Sequence, residues 1–79
     1  MFYYTYVLKS KADEKLYIGW TVDLKARLKK HNSGFVLSTK TRIPLVLVYY
    51  EACLKKEKAI AREKYFKTGF GRRFLAGRI

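Results

Sequence analysis

The sequence predicts an α+β fold, a small, mostly antiparallel three-stranded sheet flanked by helices in the order β-β-α-β-α-α. Three observations carry this. Residues 2–9 and 16–21 are rich in Tyr, Phe, Thr, Val and Ile with period-two character, the signature of half-buried strands. Leu45 to Ala52 is an apolar run preceded by a proline. Residues 22–32 and 54–67 hold strong helix formers with apolar side chains at helical spacing. At 79 residues this is one domain, residues 1–79, with room for a single core.

In chain order, Phe2 to Lys9 makes the first strand and the polar stretch Ser10 to Lys15 turns the chain. A hairpin folded about the Lys11–Ala12 bond would set Tyr6 opposite Tyr17, with Val7, Thr5 and Tyr3 opposite Leu16, Ile18 and Trp20. One face is then largely apolar and the other rich in tyrosine. Thr21 is a candidate N-cap for a helix from Val22 to about Asn32, with Asp23 in its first turn and Asn32-Ser33-Gly34 as its stop. At ~100° per residue, Leu24, Arg27, Leu28 and His31 share one stripe of that helix, and Lys25, Lys29 and Lys30 take the other side. A basic side chain needing only solvent would sit with the lysines, so Arg27 and His31 border the core beside Tyr17.

Gly34 to Arg42 has no clear period, and its hydroxyls and cations, Ser38, Thr39, Lys40, Thr41 and Arg42, suit phosphate contact or a solvated loop. Pro44 holds Ile43 extended, and Leu45 to Ala52 reads as a central strand buried on both faces. Leu54 to Lys67 is the second long helix, closed by Gly69. Within it Ala59, Ile60 and Phe66 lie within ~60° of Glu63, which puts a carboxylate inside an apolar stripe and demands a compensating partner, whether a metal ion, Lys67 at i+4 or Lys56. The tail Phe70 to Ile79 supplies one more helical turn packing Phe70, Phe74 and Leu75.

Eighteen Lys and Arg against six Asp and Glu give a net charge of +12, which stability does not require and which repels itself in the folded state. A polyanionic partner accounts for it. Nucleic acid fits better than a membrane surface, because the lysines recur along the whole chain without a long amphipathic helix. An RNA-binding or ribosome-associated role explains the charge equally well. The single Cys53 excludes an internal disulfide, and no Cys/His set at ligand spacing suggests zinc. The alternating N-terminus lacks the run of a signal peptide, so the expected setting is the cytoplasm, without a membrane.

Thr5-Tyr6-Val7, then Tyr17-Ile18-Gly19 ten residues on, then Arg27, His31 and the helical Glu63, resemble the GIY-YIG nuclease family, with the first triplet in a relaxed form. The likeness extends over nearly the whole chain, through Ser38-Thr39-Lys40, Pro44 and Gly69-Phe70-Gly71-Arg72-Arg73-Phe74. It implies the same kind of fold and a DNA endonuclease that hydrolyses phosphodiesters. It also implies roles. Glu63 would hold one Mg²⁺ or Mn²⁺ ion, Tyr17 would be the general base or its relay, and Arg27 would bind phosphate and lower the Tyr17 proton affinity. Tyr6 would orient the water or the base, and His31 would contact the phosphate or assist proton transfer. Lys30, Thr39, Lys40, Arg42, Arg72 and Arg73 are the expected nucleic-acid contacts. Several family nucleases carry a further polar residue, often asparagine, beyond the glutamate; residues 67–73 here, Lys67-Thr68-Gly69-Phe70-Gly71-Arg72-Arg73, hold no asparagine. No separate recognition module is present in this sequence, so specificity would come from DNA structure, a homodimer or a protein partner. The competing readings are a binding module without turnover and a basic RNA-associated protein.

Overall fold

The computed structural model describes residues 1–79. Strands β1 (Tyr3–Ser10), β2 (Leu16–Thr21) and β3 (Leu45–Cys53) form one antiparallel sheet, and helices α1 (Leu24–Asn32), α2 (Lys56–Phe66) and α3 (Gly69–Ala76) complete the expected β-β-α-β-α-α order. The strand order is β2-β1-β3, so the middle of the sheet is β1 and not β3 as the sequence suggests. Two things make β3 read as a central strand. Helices cover both faces of the sheet, and a bulge leaves Val48 unpaired between Tyr49, opposite Val7, and Leu47, opposite Leu8. The bulge breaks the alternation, so Val48 and Tyr49 pack on the same side. Exposed Val46 and Tyr50 mark the free edge.

The hairpin register also differs from expectation. Tyr6 stands opposite Gly19, Val7 opposite Ile18 and Leu8 opposite Tyr17. The cause is Ser10, whose buried hydroxyl accepts from the Ala12 and Asp13 amides at 3.0 and 3.2 Å and builds a four-residue loop, closed by Ser10 N–H to Lys15 O at 2.9 Å. Glu14 takes the left-handed conformation, φ 61°, that this loop needs. A slip of two residues preserves facing, so Tyr6 and Tyr17 still share one side of the sheet.

On that side Tyr6, Leu8 and Leu45 pack with Tyr17, Leu47 and the α1 leucines Leu24 and Leu28. On the other, Val7 meets Phe66 of α2 and Leu75 of α3, ringed by Leu16, Ile18, Tyr49 and Phe74. Helix α1 begins later than expected: its cap is Asp23, whose carboxylate accepts from Ala26 N–H at 3.0 Å, while Thr21 remains in β2. Asn32, read as part of a stop, ties the end of α1 to the start of β3 by bonding both Leu45 N–H and Leu45 C=O, at 2.7 and 2.9 Å.

The third helix is longer than one turn and starts where the sequence reading ended α2. Thr68 caps it, accepting from Gly71 N–H at 3.2 Å while donating to Tyr65 C=O at 2.6 Å, so Gly69 opens α3. Gly71 lies where α3 crosses α2, and a Cβ there would sit 2.6 Å from the Phe66 Cα and overlap the Tyr65 carbonyl. Phe74 and Leu75 pack inward, but Phe70 stands exposed with the Arg73 guanidinium 4.9 Å from its ring centre. Arg62 is clamped to Glu51 by two bonds of 2.8 and 3.1 Å and lies 4.7 Å from the Phe66 ring centre.

Phe66 is fully buried, edge-on to Tyr49 and stacked on Phe74, both at 5.9 Å. Phe66→Ala is expected to lower unfolding free energy by about 3–5 kcal/mol, most of what a domain this size holds. Urea melts of this variant beside Phe70→Ala, expected to lose no more than about 0.5 kcal/mol, check the assignment; similar losses for both would contradict it.

Candidate active site

Tyr6 is the hub. It comes from the middle strand, is buried, and points toward α1 because alternation leaves it on the α1 face of the sheet. Its hydroxyl lies against Gly19 on β2, where any Cβ would come within 2.6 Å of the Tyr6 Cζ. Arg27 Nε donates to the hydroxyl at 3.2 Å and His31 Nε2 lies 2.9 Å from it. The other imidazole nitrogen, Nδ1, is 2.8 Å from the Thr39 hydroxyl, which donates in turn to the Val36 carbonyl at 3.5 Å. Every donor finds an acceptor if Tyr6 donates to Nε2 and Nδ1–H donates to Thr39, which makes His31 neutral. Burial, then the nearby Arg27 charge, holds the imidazole pKa below its ordinary 6.5. Both nitrogens are engaged within the protein and only 4% of the His31 surface is exposed.

Tyr17 sits on the same side, one strand out, with different partners. Its hydroxyl donates to Asp13 Oδ2 at 3.2 Å and accepts from Arg42 Nε at 3.0 Å, and Arg42 and Asp13 are themselves paired at 2.9 Å. The cation on the Tyr17 oxygen is therefore Arg42, where the sequence reading named Arg27. Ser10 arranges this too, accepting from the Asp13 amide and donating to the Arg42 carbonyl at 2.6 Å. The Lys15 amide chiefly, with Ser10, Tyr17 and Arg42, holds the Asp13 carboxyl below the usual range.

Glu63 reaches the site from the opposite face of the sheet, around the exposed edge of β2. A cleft of about 590 Å³ is lined by Tyr6, Tyr17, Gly19, Arg27, His31 and Glu63 together, with Trp20 and Ile18 on its wall and Lys67 and Arg72 at one side. Glu63 is the one acidic residue in that lining. Its side chain is 21% exposed and its protein partner is Lys67 at i+4, Nζ to Oε2 3.3 Å; Lys56, the other lysine the sequence offers, lies over Trp20 instead. No three His, Cys, Asp or Glu side chains gather as a ready-made metal cage. A single carboxylate facing a solvent-filled cleft does fit an ion that keeps most of its water, with Lys67, 53% exposed, free to swing aside.

The remaining sequence candidates divide. Arg72 lines the cleft, and Arg73 lies on Phe70. Lys30 and Lys40 are exposed outside the lining. Thr39 is buried and spent on His31, and Arg42 on Tyr17 and Asp13. The sequence reading missed Ser10 and Asp13. An Asp three residues before a strand, in a loop opened by Ser, was the available signal.

Because His31 is neutral when folded and takes a proton near pH 6.5 when unfolded, the unfolded chain binds more protons below that pH. Its contribution to stability is complete above about pH 7 and shrinks as pH falls below 6.5. Urea midpoints should therefore drop between pH 7 and 5, the drop should be smaller in His31→Gln, and the imidazole should titrate by NMR below 6.5. A midpoint above that value would contradict the burial argument.

Comparison with known proteins agrees with this architecture. The family model described as the GIY-YIG catalytic domain matches residues 2–74. The chain is 48% identical over 65 residues to the UPF0213 protein CPE1444 of Clostridium perfringens, spanning 81% of this chain and 69% of that one. It is 45% identical over 67 residues to the UPF0213 protein SH2523 of Staphylococcus haemolyticus, 84% of this chain and 80% of that one. The solution NMR structure of the UPF0213 protein BH0048 from Bacillus halodurans superposes with a TM-score of 0.60 at 35% identity, covering 98% of this chain and 84% of the other. With residues 2–74 of the chain matched by the family model and a relative's solved structure sharing its fold, this chain belongs to the GIY-YIG family, a family of nucleases.

Proposed function

We propose that this protein is a metal-dependent DNA endonuclease, structure-selective or weakly sequence-specific, using one Mg²⁺ or Mn²⁺ ion and acting in the cytoplasm in repair or recombination. The observation that carries this reading is the single cleft shared by two tyrosine hydroxyls, an arginine and one carboxylate in a chain of charge +12. The lone thiol, Cys53, is in keeping with a reducing compartment.

Hydrolysis requires a water to attack phosphorus, its proton to leave, and the bridging P–O bond to break with the departing oxygen protonated. Tyr17 is the group for the first proton. Its hydroxyl donates to Asp13 and accepts from Arg42, so the oxygen is fixed at the cleft wall beside a cation, where an attacking water can pass its proton through it toward solvent. Arg27 spends Nε on Tyr6, leaving its terminal nitrogens to grip two phosphate oxygens as charge builds there. Tyr6, held by Arg27 and His31, fixes the depth at which that phosphate rests. Glu63 would hold the ion, with water and phosphate oxygens as its other ligands; when bound, the ion supplies neutralising charge at the phosphate. A homodimer or protein partner would add specificity that the cleft alone lacks.

Two observations favour a second reading, a nucleic-acid-binding module without turnover. Glu63 is already paired with Lys67, and Tyr17 already has two partners. The experiment that separates the two is incubation of purified protein with Mg²⁺ or Mn²⁺ and single-stranded, nicked, flapped and branched DNAs. Nicking should fall by about 10²- to 10³-fold in Glu63→Gln, in Arg27→Ala and in Tyr17→Phe, with folding retained. Cleavage at equal rates in the wild type and Glu63→Gln would assign the activity to a contaminant, and binding without nicking on every substrate would leave the binding module.

A further inference from the structure

The cleft is not walled by cations alone. Six of its fourteen lining residues are hydrophobic, among them Ile18 and Trp20 from the same face of β2 and Val36 from the segment after α1. Val36 is flanked by Phe35 and Leu37, which stand 80% and 79% exposed on a loop anchored at its base by buried Thr39. The loop is turned out by Gly34, φ +84°, directly before Phe35. A phosphate needs none of this apolar surface. Two large side chains so exposed beside a half-apolar cleft mark a place where something flat and apolar docks. The charge of the chain says what that is. A broad lipid surface would not reach Arg27, Lys67 and Arg72 inside a cleft and a greasy protein helix would not need them, whereas a narrow nucleic-acid strand brings phosphates and bases in together.

A duplex hides its bases in the stack, and only an unpaired strand can offer a base face to this wall. We propose that the cleft takes an unpaired stretch of DNA, with bases stacking on Trp20 and on Phe35 at the rim while Arg27, Lys67 and Arg72 meet its phosphates. Trp20 is prepared for this. Lys56 Nζ lies 5.3 Å from its ring centre, a flexible cation that covers one face of the indole and that an arriving base displaces toward its own phosphate. Leu37 packs beside the base on Phe35. The proposal rests on the reading of the cleft as a DNA site but not on turnover, because stacking needs neither Glu63 nor a metal ion.

Trp20 is the chain's one tryptophan, so its fluorescence reports the cleft directly. In EDTA, where nothing is cut, a single-stranded DNA 12-mer should quench this emission, and the blunt duplex of the same sequence should not. Phe35→Ala, with Leu37→Ala as a second variant at a surface loop where folding is not at stake, should weaken single-strand binding by about 5- to 100-fold, the range that loss of one stacked base gives. Both variants should leave duplex affinity unchanged. Duplex quenching equal to that of the single strand would overturn the proposal, as would unchanged single-strand affinity in both variants or tighter binding of an RNA of the same sequence. Anionic vesicles should leave the emission unshifted; a blue shift on vesicles without a response to DNA would assign the surface to a membrane. These results are independent of the nicking assay, so a protein that never cuts can still pass and an active one can still fail.

Discussion

The absence of a side chain at residue 19 is the constraint on which the site depends. Gly19 faces Tyr6 across the hairpin, and the phenol ring lies over the space a Cβ would fill. That contact lets the middle strand send a bulky polar group through to α1. There Arg27 and His31 meet it at 3.2 and 2.9 Å, and Thr39 closes the chain from the following loop. Three segments that are remote in sequence thus share one hydrogen-bond line. A buried phenol and imidazole without these partners would each cost about 1–3 kcal/mol, so the line is as much a condition of folding as of chemistry. No buried side-chain polar atom is left without a partner.

The second tyrosine is held by a different device. Ser10, fully buried at the end of β1, fixes the loop that carries Asp13 and the backbone of Arg42, and so joins the β1–β2 turn to the segment before β3. The Lys11 amide adds a bond of 2.9 Å to the Pro44 carbonyl. The result is that Tyr6 and Tyr17, neighbours on one face, are in opposite electrical situations. Tyr6 lies between an arginine and a neutral imidazole in the interior, and Tyr17 lies between an ion pair at the surface. Of the two, Tyr6 is buried and locked from both sides, and Tyr17 is held by partners that themselves reach solvent.

How much of this the sequence discloses depends on the range of the forces involved. The stripe Leu24, Arg27, Leu28 and His31 is legible because helical periodicity is local, and those four are the α1 residues that turn away from solvent together with the sheet-facing end of the helix. The shared face of Tyr6 and Tyr17 survives an error of two residues in register because facing depends only on parity. What escapes is set by single side chains acting at a distance. One serine hydroxyl decided the hairpin loop, one threonine moved Gly69 from the end of a helix to the start of another, and Val48 in a bulge disguised an edge strand as a central one. The partner of each tyrosine oxygen likewise follows from where two loops meet, which no spacing encodes.

Charge placement explains why a lone glutamate can matter in so basic a chain. Asp13, Glu14 and Glu51 are engaged by Arg42, Lys9 and Arg62, and Asp23 caps α1, so these acids are committed to local structure at the periphery. Glu63 alone faces the cleft, and Lys67, its partner at 3.3 Å, lines the same cavity. An exposed i,i+4 pair of this kind contributes only about 0.3–0.5 kcal/mol, so an arriving phosphate that attracts Lys67 releases the carboxylate at little cost. The strand that brings negative charge into the cleft would then be the agent that uncovers Glu63. On the nuclease reading, binding of the polyanion and readiness of the carboxylate would be coupled through one lysine, and without a phosphate chain the two stand as a neutral pair.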